Sequence, residues 1–286
     1  MHTSISHLPP HRRKQLQTLT HMIAASIRPE KIILFGLHTS SEQGQAAYGT
    51  ATLPEFLLNY DLLVITRRGD HRYDHEIQDI VERRCHFSTP VNVLVHDIDY
   101  VNAQLAAGQY FFSMIHQEAI LLYDAGAVPL VEGRRPDMAS IRVMAEKDFD
   151  NWWQRAGAFF RNALFSLREK EVRIAVFLLH QAAEQAYQAI LLAYMGYKPC
   201  THNLDKLRRY TNRFSIELGT LFPRDTPAED RLFKLLLQSY VDARYKEDFD
   251  ISGEDLETLT ERIERLLSIA ARICRNRFIS LEKMAS

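Results

Sequence analysis

The sequence predicts two domains, an α/β domain over residues 1–128 and an all-α helical bundle over 141–286, joined by a linker at 129–140. Three observations predict this. The first half alternates helix-like segments with short apolar runs of strand length. The tract DAGAVPLVEGRRPDMAS (124–140) then gathers Gly126, Pro129, Gly133 and Pro136, residues that stop helices and strands alike. Beyond it everything reads as helix. A chain of 286 residues is long enough for two separate cores.

The elements follow in order. An amphipathic run from Pro10 to Ile27 reads as a helix. KIILFG (31–36), DLLVIT (61–66), VNVLVH (91–96) and AILLYD (119–124) read as strands, too short and too apolar for surface helices. Between the second and third, HRYDHEIQDIVERRC carries apolar residues at helical spacing, with Asp70 placed to cap it. In the second half Trp152, Ala156, Phe159, Phe160, Ala163 and Leu167 fall on one helical face. VRIAVFLLHQAAEQAYQAILLAY is apolar almost all round and is expected to be the buried helix of the bundle. TPAE (226–229) offers a capping box with Pro227 in the first turn, and Ser252 with Asp255 marks the start of a last helix. Four or five helices are expected. Leu266, Ile269, Ile273 and Phe278 on the last of them occupy more than one side, which predicts a homodimer through the helical domain.

Composition narrows the function classes. Lys and Arg number 35 against 36 Asp and Glu, so no global field favours nucleic acid or an anionic membrane, and any polyanion site is local. Cys85, Cys200 and Cys274 form no CxxC pair, which argues against a zinc or disulfide framework and fits a reducing cytoplasm. The N-terminus lacks a signal-peptide core, and no window nears the roughly 20 apolar residues of a membrane span; a soluble protein with no membrane partner is expected.

A strand ending in Phe35–Gly36, a polar loop and a second strand opening near Asp61 resemble the minimal nucleotidyltransferase domain. The resemblance implies a small mixed sheet, a turn after the first strand that holds nucleotide phosphates, and three carboxylates. Two of these are spaced i, i+2, so that both face the same way on a strand and hold magnesium. On this sequence the positions fall on Gly36 with His38, Thr39 and Ser40, then on Asn59 and Asp61, and on Asn92 of the third strand. Asparagine brings no charge, so Asp61 alone remains as a metal ligand and a degenerate active site is implied. If a cofactor binds, the resemblance makes it magnesium with a nucleotide. Asp61 is either a strand-entry residue bonded to nearby amides or a remnant of that site. Asp97 and Asp99 repeat the i, i+2 spacing, but a carboxylate between strand and helix is expected to cap. His71 and His75, four apart, are expected on a solvated helix face.

FLLHQAAEQAYQAILLAYMGYKPCTHNLDKL, followed by YVDARYKEDFDIS, resembles the HEPN domain over about residues 142–280. The HQAAE run, the Thr-His-x-Leu turn at 201–204 and the pair Arg244–Tyr245 carry the resemblance. In ribonuclease members of that family an arginine and a histidine stand with four to six residues between them. Arg244 fits the first position and YKEDFDIS holds no histidine, so cleavage of that type is not expected. His180, Gln181, Glu184, Arg244 and Tyr245 are the candidate polar site. Its expected form is a buried Glu184–Arg244 pair, and the alternative is a pocket that reads a nucleotide. His202 is expected as a turn residue. The two resemblances together imply a nucleotide- or RNA-binding regulatory protein in a toxin–antitoxin-like setting. A divergent metal-dependent nucleotidyltransferase and a ligand-free interaction scaffold are the alternatives.

Overall fold

A computed structural model describes residues 1–37, 60–85, 91–134 and 137–285. The chain divides into two units, Met1–Pro136 and Asp137–Ser286.

The first unit opens with α1 (Pro10–Ile27), whose Leu16, Leu19, Ile23 and Ile27 recur at helical spacing and are buried. Strands β1 (Lys31–Leu37), β2 (Tyr60–Thr66), β3 (Val91–Asp97) and β4 (Ile120–Asp124) form a mixed sheet in the order β3-β2-β1-β4. Strand β1 is antiparallel to both neighbours, while β2 and β3 are parallel. A parallel pair needs a crossover, and α2 (Asp74–Cys85) supplies it. Helices α3 (Ile98–Ala106) and α4 (Tyr110–Glu118) lie between β3 and β4. Every residue of β2 is buried, as its unbroken apolar run demands. One core joins Ile32, Leu62, Val64, Val93 and Val95 to α1 and α2 through Leu19, Ile23, Ile77 and Val81.

Two local readings are corrected. Asp70 does not cap α2; it closes a turn on Arg72, accepting from the backbone N–H at 3.1 Å and from the guanidinium. Helix α2 begins only at Asp74, so His71 precedes it and does not share a helix face with His75. The stretch assigned to a linker is also not free. Asn102 bonds Pro129 O and Val131 N, and just before that stretch buried Glu30 accepts the N–H groups of Ala127 and Val128 at 2.9 and 2.8 Å.

The second unit begins earlier than residue 141. Asp137 accepts from Ala139 N and Ser140 N and so starts α5 (Met138–Arg168) at once. Helix α6 (Val172–Met195) is buried on nearly all sides and ends at Gly196, whose φ of 62° needs the freedom of glycine. Short helices follow: α7 (Leu204–Thr211), a 3-10 turn, α8 (Ile216–Leu221), α9 (Pro227–Gln238) with the expected capping box, and α10 (Asp242–Tyr245). The last helix is α11 (Gly253–Ala285). The three long helices pack on one another, α11 touching both α5 and α6. For that reason Leu266, Ile269, Ile273 and Phe278 are all buried within the chain. Their two-sided pattern reflects two intramolecular neighbours and lends no support to the homodimer inferred from it. Cys85, Cys200 and Cys274 are free thiols, and among the described residues no helix is long and apolar enough to cross a membrane.

Candidate functional site

In the first unit, strand register brings three candidate residues side by side. Gly36 on β1 pairs with Asp61 on β2, and Asp61 pairs with Asn92 on β3. His38, Thr39, Ser40 and Asn59 lie outside the described residues. Asp61 and Asn92 are both buried, and the Asn92 amide donates to Asp61 Oδ1 at 2.7 Å. A divalent cation needs oxygen ligands facing it. Here the asparagine turns its N–H₂, not its oxygen, toward the Asp61 carboxylate. The spare carboxylates are engaged elsewhere: Asp97 caps α3 through Tyr100 N at 2.8 Å, and Asp99 bridges Arg68 at 2.5 Å.

In the second unit the polar residues of α6 converge on the turn before α7. The Nδ1 atom of His202 lies 2.9 Å from Oε1 of Glu184. The Glu184 side chain is 3% exposed and that of His202 69%. Gln188 Nε2 donates to the same carboxylate oxygen at 3.3 Å, and Gln181 Nε2 reaches Oε2 at 3.4 Å. Gln188 is itself buried, and its Oε1 has no partner among the described residues. Opposite them Tyr240 sets its ring parallel to His202, 7° between planes and 5.8 Å between centroids, and 5.2 Å from His180. His180 is buried; desolvation first, then the charges of His202 and Arg244, push it down to about 3, so it is neutral at neutral pH. His180, His202, Asn203, Tyr240 and Asp242 line a cavity of about 450 Å³, with Leu237 on its apolar wall.

Arg244 does not pair with Glu184. It is exposed, donates Nε–H to Tyr240 O at 2.6 Å, and lies 4.5 Å from the Tyr240 centroid, 5.1 Å from Phe177 and 5.0 Å from Tyr245. The reason is positional. The one-turn helix α10 points the guanidinium along aromatic rings toward solvent, while Glu184 faces the 201–204 turn. Tyr245 is 73% exposed.

Residues 149–274 match the family model of the HEPN domain. The match lies wholly within the second unit and contains the cavity, the His202–Glu184 pair and Arg244. Among solved structures, an archaeal HEPN homologue aligns at 18% identity with a TM-score of 0.30, covering 44% of this chain and 97% of its own. No curated protein matches. The HEPN region thus holds every candidate of the polar site. Sequence reasoning missed His202, Gln188 and Tyr240. Gln188 was legible as the next i+4 step after Glu184 on α6. His202 carried only the Thr-His-x-Leu turn as a signal, and its partner lies 18 residues away in the chain.

Proposed function

We propose that this chain is a nucleotide- or RNA-binding regulatory protein, that its HEPN region holds the ligand, and that its N-terminal sheet is a nucleotidyltransferase-like domain without the metal chemistry. The observation that carries the reading is the 450 Å³ cavity, walled by the Tyr240, His202 and His180 rings, with the Arg244 guanidinium on one of those rings. Aromatic faces stack on any base, and an exposed guanidinium pairs with phosphate in a planar fork. The near-neutral chain charge is consistent, because the cation is local rather than spread over the surface. For the N-terminal sheet, the strand-by-strand alignment of Gly36, Asp61 and Asn92 supports the likeness, and the closed Asp61–Asn92 contact supports loss of the metal.

The test is thermal unfolding with a panel of nucleotides and short single-stranded RNAs, with and without magnesium. A ligand at a hundred times its Kd stabilises the native state by about 2.7 kcal/mol. Stabilisation without magnesium, lost in Arg244→Ala, is expected. An unchanged transition across the whole panel overturns the reading, and stabilisation that requires magnesium and Asp61 favours a metal-dependent nucleotidyltransferase instead.

A further inference from the structure

Nucleotide binding does not account for the cluster behind His202. Glu184 is buried, yet among the described residues no lysine or arginine lies within ion-pair distance of it; an imidazole and two glutamine amides face it instead. A buried carboxylate without a cation is costly. Gln188, one helical turn on, is buried too, and its Oε1 has no hydrogen-bond partner among the described residues. Its other amide atom, Nε2, stands 3.3 Å from Glu184 Oε1 and 3.5 Å from the carbonyl oxygen of Thr201. Both contacts are long for hydrogen bonds. A half-turn of the amide exchanges its nitrogen and oxygen and brings the unpartnered oxygen to that place. Four acceptors then meet: Glu184 Oε1, Gln188 Oε1, Thr201 O, and His202 Nδ1 at 2.9 Å from the carboxylate. Such a set is favourable only around a cation.

The spacing suits one. Around an ion with bonds of about 2.1 Å, neighbouring ligand atoms stand roughly 3.0 Å apart at octahedral angles and roughly 3.4 Å apart at tetrahedral angles. The separations of 2.9, 3.3 and 3.5 Å fall on that range. The frame is fixed as well. Glu184 and Gln188 are four residues apart on one face of α6. Thr201 and His202 sit in a turn closed by the bond from Asn203 N–H to Thr201 Oγ1, just before Asn203 caps α7. Gln181 holds the second carboxylate oxygen, and the parallel Tyr240 ring limits the imidazole's rotation. We propose that Glu184, Gln188, the Thr201 carbonyl and His202 bind a divalent ion of the first transition row, of the manganese or zinc kind, whose charge neutralises Glu184. One imidazole with three oxygens favours such ions over magnesium and calcium, which take oxygen ligands, and offers no thiolate to copper(I). Among the described residues no third His, Cys, Asp or Glu joins the set, so the ion is held reversibly. The inference goes beyond the binding reading above and needs no nucleotide.

The experiment uses the full chain, stripped with EDTA and dialysed, and titrates it with Mn²⁺ alone while electron paramagnetic resonance reads the free ion. Uptake of a single equivalent is expected. Thermal unfolding should shift upward with Mn²⁺ or Zn²⁺ by more than with Mg²⁺ or Ca²⁺ at equal concentration. His202→Ala, which alters a 69% exposed side chain, and Glu184→Gln should each abolish the bound equivalent. Gln181→Met, behind the carboxylate, should weaken it about 10- to 100-fold. His71→Ala, at an exposed histidine of the other unit, should leave it intact. Gln188→Glu, which sets oxygen on both arms of the side chain, should tighten binding while lowering stability in EDTA; lower stability with no gain in affinity would mean that Gln188 is only a hydrogen-bond donor and is no ligand, against the proposal. Absence of uptake at millimolar Mn²⁺ and Zn²⁺, or an equivalent that survives both His202→Ala and Glu184→Gln, overturns it.

Discussion

Replacing Glu184 by Gln and His202 by Ala, singly and together, measures the contact on which the helical site is built. Glu184 is 3% exposed, and without the imidazole its carboxylate keeps, among the described residues, the amide contacts at 3.3 and 3.4 Å. Breaking a fully buried pair costs about 3–5 kcal/mol. His202 is 69% exposed, so water screens the pair and also solvates what is left, and the discounted expectation for His202→Ala is about 1–2 kcal/mol. Glu184→Gln removes the buried charge, so adding His202→Ala to it should cost little, which makes the coupling about 1 kcal/mol. Both tryptophans of the chain, Trp152 and Trp153, lie on α5, so their fluorescence during denaturant unfolding reports on the helical unit. Arg244→Ala combined with Glu184→Gln is the control and should be additive within about 0.3–0.5 kcal/mol. Coupling below that threshold for His202, or above it for Arg244, would refute the assignment of partners.

Three further outcomes are expected. Burial pushes His180 down to about 3 and His96 down to about 4, both below the ordinary 6.5, so the unfolded chain binds these protons first. Their contribution to stability is whole above pH 6.5 and is lost as pH falls toward those values, at up to about 1.4 kcal/mol per pH unit for each histidine. Denaturant midpoints between pH 7 and 4 check this, and a flat profile contradicts it. Asn92→Asp sets a second carboxylate against Asp61, which should destabilise the sheet in EDTA and make its unfolding sensitive to magnesium; stability equal to wild type without metal would show that the Asp61–Asn92 contact carries no weight. Self-association through the helical unit, if present, should use the exposed apolar residues Val143, Met144 and Ile279, near the Arg142–Glu282 bridge. Met144→Glu with Ile279→Glu should then yield a monomer in sedimentation, and a dimer that survives both changes places the interface elsewhere.

Most of the fold could be read from the chain because its signals are local. The four strands and α1 announced themselves by length and apolar content, and Thr226, Ser252 and Asp97 announced helix starts through bonds that span three residues. Asp70 misled because an aspartate's side chain can close its own turn as readily as cap a helix, and Arg72 offered it a guanidinium two residues on. The site was half legible. The polar stripe on α6 was visible against apolar neighbours, but a buried carboxylate advertises only that it needs a partner, not which one. Arg244 was the natural candidate by charge. His202 took the place because the turn after Gly196 folds back along α6, a tertiary fact without periodicity.

The bonds from Asn102 to the segment after β4 decide where this chain can be divided into working pieces. A fragment ending at residue 128 would strip Asn102 of its bonds to Pro129 and Val131, and would uncover Leu105, whose Cδ2 lies 3.1 Å from where a Cβ on Gly133 would stand. At the other side of the cut, a helical fragment starting at residue 141 would lack Asp137 and the first turn of α5 that it caps. The edge that preserves both is between Pro136 and Asp137. Pieces made there keep their own end contacts, so a nucleic-acid signal seen with Asp137–Ser286 alone belongs to the helical unit and one seen only with Met1–Pro136 belongs to the sheet.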